Sequence, residues 1–396
     1  MKIFQINAVP YGSTARIMLG ISQTAERDGY VAYMSCGYSY HPIKELQGKY
    51  IKIGSPIEKL FHTYAAKITG LNGHYSYFST LRLIKQIKQI KPDVLHLHNL
   101  HGWYLHLPTL FSFIKKENIK VVWTLHDCWS FTGHCPYFDM VECEKWQTEC
   151  YACPQYKAYP ATYFDCSKKL YKSKKSWFTG VNDMTIVTPS KWLAEKVKQS
   201  YLKEYKVQVI NNGIDLSAFA PIQSDFRNRY GLEGKTLLLG VALDWGARKG
   251  LDVFVELAKR LPESFQIVLI GTNENIEKQL PDKIISIRRT QNVAELAEIY
   301  TAADIFVNPT REDNFPTVNI EALACGTPIV TFKTGGSPEI LDETCGVVVE
   351  KNDIDAMEKE ILRLAKEKPF SAEACRKRAE EFDKNEKFKE YLELYK

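Results

Sequence analysis

Long apolar runs are missing from the sequence: no stretch of its 396 residues approaches the roughly 20 apolar residues of a membrane-spanning helix. No signal peptide is recognisable, because residues 1–6 lead directly into a predicted strand. Internal repeats and low-complexity segments are missing, and so is the G-x-G-x-x-G fingerprint of dinucleotide-binding domains. These absences predict a cytoplasmic globular protein and leave open a peripheral contact at the inner face of the membrane.

The composition is that of an ordinary globular protein, but its charge is unevenly distributed. Hydrophobic residues make up 45% and charged residues 25%, which predicts two or three domains. Residues 1–205 contain 26 Lys and Arg against 15 Asp and Glu, whereas residues 206–396 contain 26 against 32. A basic first half suits an anionic partner, whether a phosphate-bearing acceptor, an anionic membrane or a nucleic acid. Scattered lysines that only solvate a surface would give the same imbalance.

Short apolar segments alternate with helical segments along both halves of the chain. This alternation predicts two doubly wound α/β domains, with ligands bound where the strands of each parallel sheet end. Residues 211–221 are a predicted linker, residues 37–80 show no regular period, and residues 372–396 form a charged helical run. The first-half candidates at strand ends are Gly12, Ser13, Thr14 and His98 for an acceptor or phosphate site, and His126 and Asp127 as catalytic residues.

Residues 81–91 combine apolar positions at helical spacing with a basic opposite side. We expect a helix that packs on a sheet with its basic side in solvent. A helix that lies on a membrane surface is the alternative.

A double strand-to-helix turn occupies residues 307–339. Asn314 is a predicted cap of the first helix, and Gly335 precedes the start of the second. Each helix start offers backbone N–H groups and a positive dipole end, which suit a phosphate. Asp313 in the loop and Glu321 just over a turn into the helix can accept hydrogen bonds from sugar hydroxyls. The stretch therefore predicts a nucleotide-sugar site, and a capped surface helix with solvated acids is the simpler alternative.

Arg248 and Lys249 lie in the first strand-to-helix loop of the second half. That loop belongs on the same sheet edge as residues 308–317, so the two cations are predicted to neutralise a diphosphate. A solvated surface pair is the alternative.

Six of the ten cysteines fall within residues 128–166, and four of them have the spacing C-x7-C-x6-C-x2-C. Disulfides are rare in the cytoplasm, so this spacing favours a structural zinc ion over bridges, with free buried thiols as the alternative. The predicted ligands are Cys135, Cys143, Cys150 and Cys153.

These motifs together resemble those of the family 4 glycosyltransferases, and the resemblance covers nearly the whole chain. It is carried by Asp313 and Glu321, which match the family's two acids with seven residues between them, by R-K-G at 248–250 and by G-G-S-P-E at 335–339. G-S-T, H-x-H-N and L-H-D-C-W in the first half are similar to the branch that acts in capsule or exopolysaccharide assembly. The resemblance implies the GT-B fold, in which two Rossmann-like domains flank a cleft.

The resemblance also implies a division of the chain. An acceptor-binding domain would span residues 1–210 with a cysteine-rich insertion at 128–166, and a donor-binding domain would span 222–375 after a linker at 211–221. A C-terminal helix of about 376–396 would pack back on the first domain.

The implied reaction is a retaining transfer from a UDP- or GDP-sugar to a saccharide or polyprenyl-diphosphate-linked acceptor, with no cofactor for catalysis and no nucleic acid. Glu321 would hold the ribose, Asp313 the donor sugar, and His126 would lie beside the transferred sugar with Asp127 next to it. Asp244 stands where the family has an arginine, so Arg248 would take over that contact. The implied donor site consists of Arg248, Lys249, Asn314, Phe315, Pro316, Thr317 and Glu321.

Two other functions remain as alternatives. A nucleotide-sugar epimerase on the same fold would use no acceptor. A basic, zinc-clustered nucleic-acid-binding protein would bind in a salt-sensitive way and would leave the two acids unexplained.

Overall fold

The computed structural model describes residues 1–39 and 50–396, which form two compact units. Unit 1 consists of Met1–Asn211 and Lys387–Lys396, and unit 2 of Asn212–Glu386. Each unit is built around a parallel sheet whose central strands are buried on both faces, as their continuous apolar runs require.

Unit 1 contains a seven-stranded sheet in the described part of the chain, in the order β3-β2-β1-β4-β5-β6-β7. All of its neighbouring strands are parallel. The strands are β1 Lys2–Asn7, β2 Val31–Gly37, β3 Tyr50–Ile53, β4 Val94–Leu97, β5 Lys120–Thr124, β6 Met184–Thr188 and β7 Lys206–Val209. The helices are α1 Gly12–Arg27, α2 Pro56–Thr69, α3 Tyr77–Ile90, α4 Leu107–Glu117, α5 Ser167–Phe178 and α6 Lys191–Lys198.

Unit 2 contains a parallel six-stranded sheet in the order β10-β9-β8-β11-β12-β13, counted over its described residues. The strands are β8 Thr236–Val241, β9 Phe265–Ile270, β10 Ile284–Ile287, β11 Ile305–Asn308, β12 Ile329–Phe332 and β13 Gly346–Val349. The helices are α7 Phe226–Tyr230, α8 Leu251–Arg260, α9 Glu274–Glu277, α10 Val293–Ala302, α11 Thr317–Ala324, α12 Ser337–Ile340, α13 Ile354–Glu367 and α14 Ala372–Glu380. A last helix, α15, spans Lys384–Tyr395.

The strand order reverses once in each sheet, between β1 and β4 and between β8 and β11. In doubly wound sheets the loops at such a reversal diverge and leave a crevice beyond the carboxyl ends of the strands. Any ligand site of either unit is therefore expected there.

The charged C-terminal run divides into two helices. α14 packs in unit 2, where Arg376 donates to the backbone oxygens of Leu216 and Ala324. The end of α15 belongs to unit 1, where Tyr395 packs with the core and its hydroxyl lies 2.7 Å from His96 Nδ1.

The predicted linker, residues 211–221, packs and forms hydrogen bonds mainly within unit 2. Ile214 is buried in the core of unit 2, and its backbone exchanges hydrogen bonds with Phe382 and Lys384.

Residues 37–80 are more regular than the sequence suggested. β3 and α2 both lie in this range, and α3 begins in it, while residues 40–49 fall outside the described residues. The basic helix of residues 81–91 is part of α3, and its positions Leu83, Ile84 and Ile87 are buried, as expected for packing on a sheet.

None of the helices in the described ranges is both long enough and apolar enough to cross a lipid bilayer.

Candidate active site

The crevice of unit 2 lies between the loop after β8 and the loop after β11. Arg248 and Lys249 belong to the first loop, and Asp313 belongs to the second. Lys249 Nζ lies 2.5 Å from a carboxylate oxygen of Asp313, and both side chains are about one-fifth exposed. Arg248 Nη1 donates to the backbone oxygen of Glu312 at 3.1 Å. The structure thus brings together a cation pair and an acid that are 64 residues apart in the sequence.

Two glycines allow these loops to approach each other. Gly250 has a φ of +74°, and a Cβ there would lie 2.4 Å from the backbone oxygen of Pro309. Gly335 has a φ of +51°, and a Cβ there would lie 1.7 Å from the backbone oxygen of Asp313. Only glycine tolerates both the left-handed conformation and this distance. Gly335 therefore allows the loop after β12 to close against the acid of the site.

Helix α11 begins at the crevice, but its start differs from the prediction. Pro316, not Asn314, is the N-cap residue, and its side chain makes no capping hydrogen bond. Asn314 and Phe315 are buried in the preceding loop, and the Phe315 ring packs against Phe382 at 5.7 Å. The side chains of Phe315 and Pro316 are buried, so only the backbone groups of these two residues are suited to contact a ligand. An uncapped helix start with its positive dipole end fits a phosphate better than a capped one.

The carboxylate of Glu321 accepts a hydrogen bond from a buried tyrosine. The hydroxyl of Tyr300 donates to Glu321 Oε2 at 3.1 Å, and burial, followed by the nearby Glu321 carboxylate, raises the pKa of Tyr300 well above its ordinary value. Tyr300 therefore stays a hydrogen-bond donor and orients the carboxylate. Sequence reasoning missed it because α10 and α11 are brought together only by folding.

The crevice of unit 1 is lined by the end of β1, the start of α1 and the end of β4. Gly12 begins α1 with a φ of +77°, and Gly12 and Ser13 are exposed. Asn7 connects the two loops, because its Nδ2 lies 3.2 Å from Thr14 Oγ1 and its Oδ1 accepts from the backbone N–H of Asn99. This geometry is suited to an anion at the start of a 16-residue helix.

A chain of hydrogen bonds assigns the protons of His98 and His126. Gln5 Nε2 donates to the backbone oxygen of Met18 and to Ser22 Oγ, so its Oε1 must accept from His98 Nε2 at 2.9 Å. His98 Nδ1 is then the acceptor for His126 Nε2 at 3.1 Å. Neutral His126 therefore carries its proton on Nε2 and leaves Nδ1 as an acceptor.

Burial keeps these imidazoles neutral. Desolvation lowers the pKa of His126 to about 4, although Asp127 opposes the shift, and lowers the pKa of His96 to about 3. The pKa of His98 is lowered well below its ordinary value for the same reason. Near neutral pH, His126 is thus uncharged and is suited to a hydrogen bond with a hydroxyl group rather than to an ionic interaction.

Asp127 belongs to a separate network. Burial would raise its pKa, but the bonds from His101 Nε2 at 2.8 Å and from the Trp129 N–H at 2.9 Å outweigh this effect and lower it. His101 Nδ1 lies 2.9 Å from the Tyr159 hydroxyl. Gln5, His101 and Tyr159 were not predicted, and H-x-H-N-L-H at 96–101 was the available signal for His101.

The zinc prediction is not supported. Within residues 1–39 and 50–396 no three His, Cys, Asp or Glu side chains are arranged to hold a metal ion. Cys135 and Cys153 form a thiol–thiol hydrogen bond, which raises the pKa of the first and lowers that of the second, while Cys150 Sγ accepts from the Gly133 N–H. A zinc site needs its ligands about 2.3 Å from one centre, whereas the thiols of Cys135, Cys150 and Cys153 have each other and the backbone as partners.

The fold and the site together define a two-domain α/β protein of the GT-B class. A family model described as "Glycosyltransferase Family 4" matches residues 59–218, and one described as "Glycosyl transferases group 1" matches residues 234–367. The two matches together take in most of the chain, the first mainly in unit 1 and the second in unit 2. The chain belongs to the family 4 glycosyltransferases, as the motifs predicted.

A curated relative and two solved structures illustrate the similarity. The chain is 27% identical over 270 residues to the putative colanic acid biosynthesis glycosyl transferase WcaC of Escherichia coli, covering 66% of this chain and 65% of that protein. The chain thus spans just under two thirds of that relative. Sucrose-phosphate synthase of Thermosynechococcus elongatus superimposes with a TM-score of 0.72 at 18% identity, over 100% of this chain and 98% of that one. Anabaena Alr3699/HepE in complex with UDP gives 0.69 at 13% identity, over 99% of both chains.

Proposed function

We propose that the chain is a retaining glycosyltransferase that moves a sugar from a nucleotide sugar to a saccharide or lipid-linked saccharide during assembly of a surface polysaccharide. The observation that carries this proposal is the Lys249–Asp313 pair in the crevice of unit 2, beside the uncapped start of α11. The name of the Escherichia coli relative refers to colanic acid biosynthesis, which supports a polysaccharide as the product of the pathway. HepE structures that contain UDP and UDP-glucose support a nucleotide-sugar donor.

Unit 2 binds the donor in this proposal. The diphosphate lies against Arg248, Lys249 and the N–H groups that begin α11, while Glu321 accepts hydrogen bonds from the ribose. When the bond to the sugar breaks, negative charge develops on the diphosphate, and these fixed cations and dipoles stabilise it without a metal ion. Asp313 accepts a hydrogen bond from the donor sugar, while Lys249 contacts both Asp313 and the diphosphate.

Unit 1 binds the acceptor in this proposal. The Gly12–Ser13–Thr14 start of α1 receives an acceptor phosphate or hydroxyl, and the residues after β4 and β5 complete the site. His126 contacts a hydroxyl of the transferred sugar through its ring. Asp127, which is tied to His101, fixes the loop that follows β5 rather than exchanging a proton.

Glu321→Ala tests the donor site. Removal of the carboxylate should weaken nucleotide affinity roughly 10- to 100-fold, because a charge-assisted hydrogen bond contributes about 1.5–3 kcal/mol. Calorimetry with UDP and GDP and their sugars measures the effect. Tyr300→Phe is the matched control: it keeps the carboxylate, removes only its support and should cost less than tenfold. Unchanged affinity in Glu321→Ala would remove Glu321 from the site.

The reaction itself is tested with a nucleotide sugar and a saccharide acceptor, followed by NMR of the product. Retention of the anomeric configuration is expected. Inversion would overturn the stereochemical assignment, and rapid conversion of the donor to its epimer without acceptor would favour the epimerase.

A further inference from the structure

Helix α2 presents its larger apolar side chains to solvent. Its buried residues are only His62 and Ala66. The opposite side carries five apolar side chains that are between 54% and 79% exposed: Ile57, Leu60, Phe61, Tyr64 and Ile68. At 3.6 residues per turn these positions fall within about 100° of arc, so they form one continuous stripe. A helix with its apolar side outward needs something to cover it.

The stripe continues onto neighbouring segments of unit 1. Phe61 meets Tyr75, in the loop before α3, edge to face at 6.1 Å, and Glu58 pairs with Arg82 of α3 at 2.6 Å. At the other end, the backbone N–H of Tyr163 donates to the backbone oxygen of Lys67 at 2.8 Å. These contacts join α2 to α3 and to residues 163–164, and both segments carry further exposed apolar side chains: Tyr77, Phe78, Leu81, Tyr163 and Phe164. We call this set, together with the α2 stripe, the apolar surface.

The rim of the apolar surface is basic. Lys67 flanks the stripe on α2, Lys85 follows Leu81 by one turn of α3, and Lys169 lies in the first turn of α5, shortly after Phe164. The nearby acid Glu58 is engaged by Arg82, and Glu149 lies between Lys168 and Lys172. Asp165 accepts from the backbone N–H groups of Cys153 and Ser167. The rim therefore presents net positive charge around an apolar centre.

We propose that the apolar surface docks unit 1 onto an anionic lipid bilayer, with α2 lying in the plane of the interface. Apolar side chains then enter the boundary of the acyl layer, while the rim lysines meet lipid phosphates. A second copy of the chain fits less well, because a twofold interface would bring two basic rims together. The proposal goes beyond the proposed transfer reaction, since bilayer binding needs neither donor nor acceptor.

Vesicle flotation of the full chain tests this docking. Vesicles of phosphatidylcholine with phosphatidylglycerol should bind the protein, and pure phosphatidylcholine should bind it more weakly. The combined variant Ile57→Gln, Phe61→Gln and Ile68→Gln should lose at least roughly 100-fold in partitioning, because each apolar side chain changes it by about tenfold. Lys85→Gln with Lys169→Gln should lose roughly tenfold or more on the anionic vesicles only.

The matched control is Ile222→Gln with Leu362→Gln, which changes exposed apolar side chains of unit 2. It should bind vesicles like the unchanged protein, and all variants should keep the circular dichroism spectrum and UDP affinity of that protein. Absence of vesicle binding, or an equal loss in the control, would overturn the proposal. A dimer that the α2 variant converts to a monomer, without vesicle binding, would show that a second copy covers the surface. None of these outcomes affects nucleotide binding by unit 2, so docking and transfer can fail separately.

Discussion

At the residue scale, Asp313 and Lys249 form a pair that a bound donor must rearrange. The carboxylate of Asp313 holds Lys249 at 2.5 Å, and the pair is mostly shielded from solvent. In the proposed donor site a diphosphate would compete with Asp313 for Lys249, so the acid would lower diphosphate affinity while positioning the sugar.

Asp313→Asn should therefore separate the two effects. We expect UDP to bind equally well or up to roughly tenfold more tightly, because Lys249 is no longer neutralised by a partly buried partner. The sugar moiety of UDP-glucose should add less to affinity than in the unchanged protein, and turnover should fall. Lys249→Met is the complementary variant, for which UDP affinity should fall at least roughly tenfold and uridine affinity should not. Weaker UDP binding in Asp313→Asn would contradict the competition.

Gln5 acts on His126 only through His98, which makes it a positioning residue. Gln5→Glu places a carboxylate against His98 Nε2 and favours the imidazolium, whose Nδ1–H then points at His126 Nε2. We expect the proton of His126 to move to Nδ1, turnover to fall at least roughly tenfold, and UDP affinity of unit 2 to stay unchanged. Nitrogen-15 NMR of the imidazoles reports the tautomer directly. Thr124→Val, which removes a partner of His96 and of Tyr391 but none of His98 or His126, should leave the His126 tautomer unchanged.

At the element scale, Gly335 joins the start of α12 to the Asp313 loop. Gly335→Ala would place a Cβ 1.7 Å from the Asp313 oxygen, so the loop must move or unit 2 must lose stability. Gly234→Ala is the matched control, because Gly234 also has a positive φ, of +73°, but nothing lies within 4 Å of its Cβ position. The control should cost about 1 kcal/mol and keep UDP affinity, whereas Gly335→Ala should cost more and weaken UDP binding. Equal denaturation midpoints and affinities in the two variants would show that the close approach has no role.

Helices and strands were predictable where their apolar residues face a core. Apart from β3, the strands of both sheets follow from short apolar runs, and α3 follows from Leu83, Ile84 and Ile87, since burial on a sheet imposes the period. α2 was not predicted, although its apolar residues recur at helical spacing, because Tyr, His, Gly and Lys surround it. The side on which that stripe lies could not be predicted at all, because it depends on which side of α2 meets the rest of unit 1.

At the scale of the whole molecule, the nine histidines all lie in residues 41–134, within unit 1, and unit 2 has none. Burial holds the pKa of His126 and His134 near 4 and that of His62 and His96 near 3. Unfolded histidines titrate near pH 6.5, so the unfolded state binds more protons between about pH 6.5 and pH 4. The contribution of these neutral histidines to the stability of unit 1 is fully present above about pH 6.5 and decreases as the pH falls through this window.

Unit 1 should therefore melt at lower temperature at pH 5 than at pH 7.5. A single histidine with a folded pKa near 4 contributes on the order of 2 kcal/mol to this loss at pH 5. Tryptophan fluorescence measures it selectively, because Trp245 is the only tryptophan of the sequence that lies in unit 2. UDP protection of unit 2 against proteolysis serves as a reference that should change little over the same range. A fluorescence midpoint that is constant from pH 7.5 to pH 5 would contradict the neutral buried histidines.

The sequence by itself determined the two α/β units and the motif residues of the proposed donor site, because strand burial, helix period and the spacing of the two acids are local properties of the chain. Only the tertiary structure decided the contacts of those residues. Lys249 meets Asp313 across 64 positions and His98 meets Gln5 across 93, and no local pattern encodes such pairs. The same holds for the cysteines. Their spacing predicts a zinc site, but in the folded chain Cys135 pairs with Cys153, and Cys150 accepts from a backbone N–H group. Spacing along a chain limits which atoms can meet, whereas packing determines which of them do.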